Sequence, residues 1–349
     1  MENRHILVIN YQMDDTSQVF AHQIEVVRRL ALYYKNILVF TNHFNPNSII
    51  PSNVIVFSCD WRVGKSIRNT LVFYRNFFKL LKNYKIDLIF SHMTEVQSAL
   101  IAPISRFLKI PHLLWYAHTS KSPYLVWNSF FVDKIVTSTK GSCPLKNGKV
   151  VPIGQAIDEN YFFDEVRKSN LRRRFLHIGR FDPSKNAREI INTIISRHEI
   201  DQTISLLLIG SPSTASFNRY ALDLQIEYRN YSFIKFQSSV PRNETMIFLR
   251  ENDVFIHAFQ GSLDKTLVEA TMAGLPVVTV NREYLNQFGG WNNDSNEVTL
   301  RSEFNAFLAT SDEEIYLKCC KRQKFAISHH SLTNWNRQLI SLFNDLMGA

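Results

Sequence analysis

Two cations in this sequence follow one predicted strand closely enough to bind a single anionic group together. In HIGRFDPSKN (177–186) the strand ends at Gly179, and Arg180 and Lys185 come next, separated by a short Pro-containing turn. Arginine can hold a phosphate through two hydrogen bonds, whereas lysine supplies a compact charge. Two fixed cations can neutralise a diphosphate leaving group as its negative charge grows. The alternative is a solvated turn, which is the commoner interpretation of a lone lysine.

A second segment, GSLDKTLVEATMAGLPVVTV (261–280), combines an anion-binding loop with a carboxylate. Its polar loop leads into a helix that begins near Lys265, and Gly274 ends that helix as a C′ glycine. Free backbone N–H groups at such a helix start favour an anion. Glu269 lies one turn into the helix among apolar neighbours, where it can accept hydrogen bonds from sugar hydroxyls. A carboxylate that only stabilises the helix dipole is the alternative, and the spacing favours neither.

Short apolar strands alternate with helix-length amphipathic segments along the chain, which predicts parallel sheets covered by helices. Strand candidates occupy 5–10, 36–41, 54–57, 87–92, 112–118, 134–138 and 150–154, and a second series occupies 175–180, 204–210, 233–236, 253–258 and 276–280. Two facing, doubly wound Rossmann-like domains leave an interdomain cleft at the carboxyl ends of their strands, where ligands bind. A polar interruption sets the predicted division into an N-terminal domain (1–155), a linker (156–173), a C-terminal domain (174–330) and a final helix (331–349).

The segments HIGRFDPSKN, LDKTLVEATMAGLPVV, WYAH (115–118) and IGQAID (153–158) together resemble the family 4 glycosyltransferases of the GT-B fold. The resemblance covers nearly the whole chain in the right order, including VFAHQIEVVRRLA (19–31) and FSHMTE (90–95). The SLDK loop is similar to that of a subset of the family. The resemblance implies a sugar transferase with a nucleotide-sugar donor in its C-terminal domain and a glycan or lipid-linked acceptor in its N-terminal domain.

The resemblance also implies roles for individual residues. Arg180 and Lys185 match the pair that holds the donor diphosphate, and Glu269 matches the glutamate that contacts the ribose. His118 matches the histidine that faces the transferred sugar and the acceptor, with a buried core histidine as the alternative. These four are the expected catalytic residues. The residues expected to bind the donor are Arg180, Lys185, Ser262, Asp264, Lys265, Thr266 and Glu269.

One position departs from the pattern of the family. Gly261 lies eight residues before Glu269, where the first glutamate of the Glu-x7-Glu motif normally contacts hydroxyls of the donor sugar. We expect Asp264 or Lys265 to take over that contact. The departure also keeps open a catalytically silent GT-B protein that binds a glycan or serves as a scaffold subunit.

Family members are typically retaining and metal-independent, so the resemblance implies no metal and no cofactor besides the donor substrate. Consistently, the sequence has no Asp-x-Asp motif, and its four cysteines lack the spacing of a metal site. A dinucleotide-dependent oxidoreductase is disfavoured because residues 10–18 contain no glycine. A GT-B epimerase or phosphorylase fits the motifs less well than a transferase does.

Positive charge is concentrated in the N-terminal part of the chain. Residues 1–150 hold 18 Lys+Arg and 8 Asp+Glu, a net charge of +10, whereas the remaining residues hold 22 and 23, a net charge of −1. We therefore expect the N-terminal domain to meet an anionic partner. Nucleic acid is less favoured than a membrane surface, because no nucleic-acid-binding module is visible.

The segment RVGKSIRNTLVFYRNFFKLLKNYK (62–85) is predicted as a basic helix that rests on anionic lipid headgroups. Its expected buried stripe is the series Val63, Ile67, Leu71, Tyr74, Phe78 and Leu81, flanked by Phe73, Phe77 and Leu80. A solvated charged face is the alternative interpretation of the basic residues. The sequence shows neither a signal peptide nor an apolar run that could span a bilayer. We therefore expect a cytoplasmic protein, peripheral at the inner face of the membrane, in surface polysaccharide or lipopolysaccharide assembly.

Overall fold

The computed structural model describes residues 2–17, 20–59, 61, 67–168, 171–292 and 298–348. The chain forms two compact units, one made of Met1–Gly154 with Trp335–Ala349 and the other of Gln155–Asn334. The sequence predicts a linker at 156–173, and in the structure these residues belong to the second unit. The last helix begins in the second unit, and its residues from Trp335 onward belong to the first.

The described residues form two parallel sheets. The strands are β1 (Glu2–Met13), β2 (Tyr34–Phe44), β3 (Val54–Ser58), β4 (Leu88–His92), β5 (His112–Trp115), β6 (Lys134–Thr137), β7 (Val150–Pro152), β8 (Arg174–Ile178), β9 (Ser205–Ile209), β10 (Ile234–Gln237), β11 (Val254–His257) and β12 (Val277–Thr279). The first unit has the order β3-β2-β1-β4-β5-β6-β7, and the second has the order β10-β9-β8-β11-β12. The predicted α/β fold with two doubly wound domains is confirmed.

An α-helix lies between most pairs of consecutive strands, as the alternation of the sequence predicts, but none lies between β2 and β3 or between β6 and β7, where every residue is described. The helices are α1 (Ala21–Leu30), α2 (Ile67–Asn83), α3 (Glu95–Phe107), α4 (Pro123–Phe131), α5 (Glu159–Phe162), α6 (Ala187–His198), α7 (Asn218–Tyr228), α8 (Thr245–Glu251), α9 (Lys265–Met272), α10 (Arg282–Phe288), α11 (Leu300–Ala309), α12 (Asp312–His330) and α13 (Leu332–Met347). Among the residues that the structure describes, none of these helices combines the length and the apolar character that crossing a bilayer requires.

Burial of the strands on both faces explains why their sequences are continuously apolar. Every residue of β4, β5 and β11 is buried, as expected for strands covered by helices on both sides. The strand order reverses between β1 and β4 in the first unit and between β8 and β11 in the second. Doubly wound sheets bind ligands at the carboxyl ends of the strands beside such a reversal. In the second unit, the segments that contain Arg180 and Gly261 leave the sheet at this edge.

The buried face of α2 differs from the one that its spacing predicts. The buried residues are Phe73, Phe77 and Leu80, whereas Ile67, Leu71 and Phe78 are 83%, 64% and 50% exposed. Phe73 stacks on Phe40 and meets Trp61 edge-on. The predicted stripe is therefore wrong, because two apolar series share the helical spacing and the aromatic contacts of Phe73 decide between them. Residues 62–66 of the predicted segment, among them Val63 and Lys65, lie outside the described residues.

The C-terminal helix completes the core of the first unit. Phe343 of α13 is fully buried and lies with its ring centroid 6.1 Å from that of Tyr34 and 5.6 Å from that of Phe90. Both partners belong to central strands of the seven-stranded sheet. The first unit therefore depends on residues more than 180 positions beyond the end of its own sheet.

Replacing Phe343 with Ala should destabilise the first unit by about 3–5 kcal/mol, because the side chain is lost from a closed aromatic core. Urea unfolding followed by tryptophan fluorescence measures the change. The matched control is Phe107→Ala, which removes a phenylalanine that is 84% exposed in the same unit. Equal unfolding midpoints for the two variants would contradict the role of α13 in this core.

Candidate functional site

The loop after β8 carries the two cations that the sequence singles out. Lys185 ends a 3-10 turn over Pro183–Lys185, and Asn186 then takes a left-handed conformation (φ 52°) before α6 begins. The guanidinium of Arg180 is half exposed and lies with Nη1 3.4 Å from Oδ2 of the buried Asp182. Oδ1 of Asp182 accepts a hydrogen bond from the Ser213 backbone N–H at 2.9 Å. The loop therefore holds Arg180 at the surface through a fixed carboxylate.

Lys185 connects this loop to the start of α9. Its side chain is only 7% exposed, and its ammonium forms an ion pair with Oδ2 of Asp264, the N-cap residue of α9. Nε2 of His257, the last residue of β11, lies 3.3 Å from the same oxygen. Although burial opposes the shift, the ammonium of Lys185 and the imidazole of His257 hold the pKa of Asp264 well below its ordinary value. The structure thus brings a buried cation to the N-terminus of a helix, where anions are stabilised.

The helix itself has the boundaries that its sequence predicts. Asp264 caps α9 by accepting from the Thr266 N–H at 3.4 Å, and Gly274 follows its C-terminus with φ of +76°. A left-handed residue at this position is typical of glycine, which has no Cβ to strain the backbone. The Thr266 hydroxyl also lies 3.4 Å from Oδ1 of Asp264.

Asn281 fixes the loop that precedes α9. Its fully buried side chain donates from Nδ2 toward three carbonyl oxygens of the loop, those of Phe259 (2.9 Å), Gly261 (3.3 Å) and Ser262 (3.1 Å). Its Oδ1 accepts from the Tyr284 N–H at 3.0 Å and caps α10. The side-chain amide of Asn281, which follows β12, therefore holds the loop between β11 and α9. The sequence offers no signal for this role, because Asn281 follows β12 like any helix cap.

Glu269 has a partner that the motif does not reveal. The carboxylate is almost fully buried on α9, and Oε1 lies 2.8 Å from Nη2 of Arg242. The guanidinium of Arg242 also lies 5.2 Å from the centroid of the Phe162 ring. The structure assigns Arg242 to Glu269, the residue expected to contact a ribose.

Lys265 is the first residue of α9. Burial and the nearby guanidinium of Arg242 lower the pKa of Lys265 to about 7. The amine is therefore partly charged at neutral pH, and an anion bound beside it would favour the charged form. The five donor-site residues 262, 264, 265, 266 and 269 and the two cations 180 and 185 all belong to the second unit.

His118 lies in the first unit, in the segment after β5. Its side chain is exposed, so the buried-core alternative does not hold. The Ser120 N–H donates to Nδ1 at 3.3 Å, and the Ser120 hydroxyl lies 3.0 Å from the same atom. Because a backbone N–H can only donate, Nδ1 accepts, and the proton of the neutral ring is on Nε2. His118 therefore offers a hydrogen-bond donor at Nε2.

Within the parts of the chain that the structure describes, there is no group of three or more His, Cys, Asp or Glu side chains that could hold a metal ion.

Comparison with known proteins shows what the chain is similar to. Residues 172–291 match the family model described as glycosyl transferases group 1. No curated protein matches the sequence. Sucrose-phosphate synthase (tll1590) of Thermosynechococcus elongatus is similar in structure, with a TM-score of 0.76 at 14% identity over 99% of this chain and 100% of that one.

Two further structures cover almost the whole chain. Anabaena Alr3699/HepE in complex with UDP-glucose has a TM-score of 0.74 at 14% identity, over 98% of this chain and 99% of that one. WaaG, a glycosyltransferase involved in lipopolysaccharide biosynthesis, has a TM-score of 0.64 at 13% identity, over 99% of this chain and 100% of that one. At such identities the likeness shows the fold, which is GT-B.

Anion binding at the start of α9 should weaken as the pH rises through 7. The pKa of Lys265 is about 7, so its amine is charged below that pH and neutral above it. Losing one charge near the anion costs about 1 kcal/mol, or roughly fivefold in affinity, between about pH 6 and pH 8. Sulfate is a suitable probe for calorimetric titration, because its own charge is constant over this range.

The matched variant is Lys265→Met, which removes the amine and keeps the length of the side chain. Its sulfate affinity should not show the wild-type decline around pH 7. If the two proteins show the same pH dependence, Lys265 does not contact the anion.

Proposed function

We propose that this protein transfers a sugar with retention of configuration and without a metal ion. Its residues 172–291 form a group 1 glycosyltransferase domain on a GT-B fold. The donor is a nucleotide sugar, and the acceptor is a glycan or a lipid-linked glycan. The observation that carries the proposal is the ion pair between Lys185 and Asp264, which brings a buried cation to the N-terminus of α9.

The leaving group is the reason why this observation matters. When the bond between the anomeric carbon and the phosphate oxygen breaks, negative charge grows on the nucleoside diphosphate. Arg180, Lys185 and the backbone N–H groups at the start of α9 can neutralise this charge, because they are already held in position. Oε1 of Glu269 is paired with Arg242, and its other carboxylate oxygen can accept a hydrogen bond from a ribose hydroxyl.

In the proposed reaction the acceptor hydroxyl attacks the anomeric carbon on the face that the diphosphate leaves. A bond forms between the acceptor oxygen and the anomeric carbon, the bond to the phosphate oxygen breaks, and the acceptor proton passes to the leaving phosphate. The configuration is retained, and no covalent bond to the protein forms. In the first unit, His118 donates a hydrogen bond from Nε2 to a substrate hydroxyl.

Two cations in the loop after β8 and a partly charged amine at the start of α9 support a reaction without a metal ion. Arg180, Lys185 and Lys265 can supply the positive charge that a divalent ion provides in metal-dependent transferases. The likeness to Anabaena HepE, which was solved with UDP-glucose, supports a UDP-sugar as the donor.

The charge of the chain and one relative support a role at a membrane. WaaG takes part in lipopolysaccharide biosynthesis, and its structure is similar to this one over 99% of this chain. Residues 1–150 carry a net charge of +10, and α2 exposes basic residues beside Ile67, Leu71 and Phe78. We therefore assign the protein to surface polysaccharide or lipopolysaccharide assembly, as a cytoplasmic enzyme that binds the inner face of the membrane.

The second candidate function is a catalytically silent GT-B protein that binds a glycan or serves as a scaffold. It is favoured by Gly261, which lies where the family has its first motif glutamate. Donor binding without release of nucleoside diphosphate would identify this alternative.

Replacing Arg180 with Ala should remove about 2–3 kcal/mol of transition-state stabilisation, which is roughly a 30- to 150-fold loss in kcat/KM. The assay measures release of nucleoside diphosphate from a panel of nucleotide sugars, with and without EDTA. Arg180 is suitable because its side chain is half exposed, so the variant should fold.

The control is Arg219→Ala, which removes an exposed arginine of α7 in the same unit. Its turnover should equal that of the wild type. Wild-type turnover in Arg180→Ala would contradict the diphosphate assignment, and loss of activity on adding EDTA would contradict metal independence.

Binding to anionic vesicles should depend on the exposed basic residues of α2. The triple variant Arg75→Gln, Lys79→Gln, Lys82→Gln removes three charges, each worth about 1 kcal/mol at an anionic surface. The affinity for phosphatidylglycerol-containing vesicles, measured by cosedimentation, should therefore fall about 100-fold. The matched control neutralises the exposed residues Arg219, Arg229 and Lys235 of the second unit, and equal losses in the two triple variants would contradict the assignment to α2.

A further inference from the structure

We propose that Phe259 is a specificity-determining residue that contacts the transferred sugar through its aromatic ring. The preferred donor would then carry a sugar with an apolar face or an apolar substituent, such as a deoxyhexose. This inference rests on the proposed function and identifies the chemical class of its donor.

The conformation of the loop depends on the pairing of Phe259 with Gly261. A Cβ atom at position 261 would overlap the tip of the Phe259 ring. Any residue other than glycine at this position would therefore force the ring to move. The glycine at 261 and the aromatic ring at 259 therefore depend on each other, because the ring fills the space that a side chain at 261 would occupy.

Asn281 makes this arrangement rigid. Its amide donates toward the carbonyl oxygens of Phe259, Gly261 and Ser262, so the backbone on both sides of the glycine is held. The ring of Phe259 is partly exposed. Because the backbone of residue 259 is held by Asn281, it cannot shift to bury the ring. A partly exposed aromatic ring on a fixed loop offers a preorganised apolar surface to a ligand.

The ring lies beside the expected diphosphate. Nζ of Lys185 is 4.0 Å from the centroid of the Phe259 ring. A donor whose phosphate contacts Lys185 therefore brings the group attached to that phosphate close to Phe259. In a nucleotide sugar, that group is the sugar to be transferred.

The charged groups nearby are engaged with one another. Asp264 forms an ion pair with Lys185, caps α9 and has His257 3.3 Å from one carboxylate oxygen. Using Asp264 as an acceptor for sugar hydroxyls would weaken these interactions. The loop 259–263, Phe-Gln-Gly-Ser-Leu, contains no acidic residue. A sugar that presents C–H or methyl groups to the ring gains from burying apolar surface and leaves fewer hydroxyls without a strong acceptor.

The test measures the sugar contribution separately from the nucleotide contribution. For each protein, calorimetry gives the Kd of UDP, of UDP-glucose and of UDP-6-deoxyglucose, and the ratio of the sugar-nucleotide Kd to the UDP Kd isolates the sugar. In the wild type, we expect the deoxy sugar to bind at least as tightly as glucose. In Phe259→Ala, the affinity for UDP-6-deoxyglucose relative to that for UDP should fall about tenfold, because most of the aromatic contact is lost.

Two further variants make the result specific. Gly261→Ala should give a similar loss, because the new Cβ displaces the ring without removing it. Phe163→Ala removes an exposed ring elsewhere in the same unit and should change nothing.

The outcomes distinguish this inference from the proposed function. UDP binding with an unchanged sugar ratio in both Phe259→Ala and Gly261→Ala would overturn the role of Phe259 and leave the proposed function intact. A tenfold or greater preference for glucose over the deoxy sugar in the wild type would also overturn it, since that result means that hydroxyls are recognised by hydrogen bonds. If neither UDP nor any other nucleoside diphosphate binds, the proposed function itself fails.

Discussion

The ion pair between Lys185 and Asp264 is the interaction on which the second unit's ligand site depends. It joins the loop after β8 to the N-terminus of α9, and His257 extends it to the end of β11. Burying two charges costs desolvation energy, so such a pair is weak evidence for stability. The pair instead fixes the positions of the two side chains, because separating them would leave each buried charge uncompensated. The pair therefore keeps a cation and a helix N-terminus together in the absence of a ligand.

The other charged groups of the site follow the same rule. Arg180 lies beside Asp182, and Arg242 lies beside Glu269, so each cation already has a carboxylate within 3.4 Å. A bound diphosphate must compete with these carboxylates for the cations. The positions of the cations are nevertheless determined before the ligand arrives. Preorganised charge is what stabilises a leaving group in the transition state.

The sequence was sufficient for the fold but only partly sufficient for the site. Strands such as β4 and β11 are predicted because burial on both faces gives mostly apolar runs. Arg180 and Lys185 are predicted to bind the donor because both follow one strand closely, and their role stays a prediction. The face of α2 was predicted wrongly, since periodicity is a local property and the contact of Phe73 with Phe40 is not. Asn281 was missed for the same reason, because its three acceptors lie about 20 residues earlier in the chain.

Hydrogen exchange with and without a nucleoside diphosphate locates the ligand on the chain. Backbone amides at 179–187 and 262–269, where the cations, the helix N-terminus and Glu269 lie, should exchange more slowly when the ligand is bound. Because the loop before α9 is already held by Asn281, the added protection there should come from direct contact with the ligand. Protection confined to other segments of the second unit, or to the first unit, would show that the diphosphate does not bind between the loop after β8 and the start of α9.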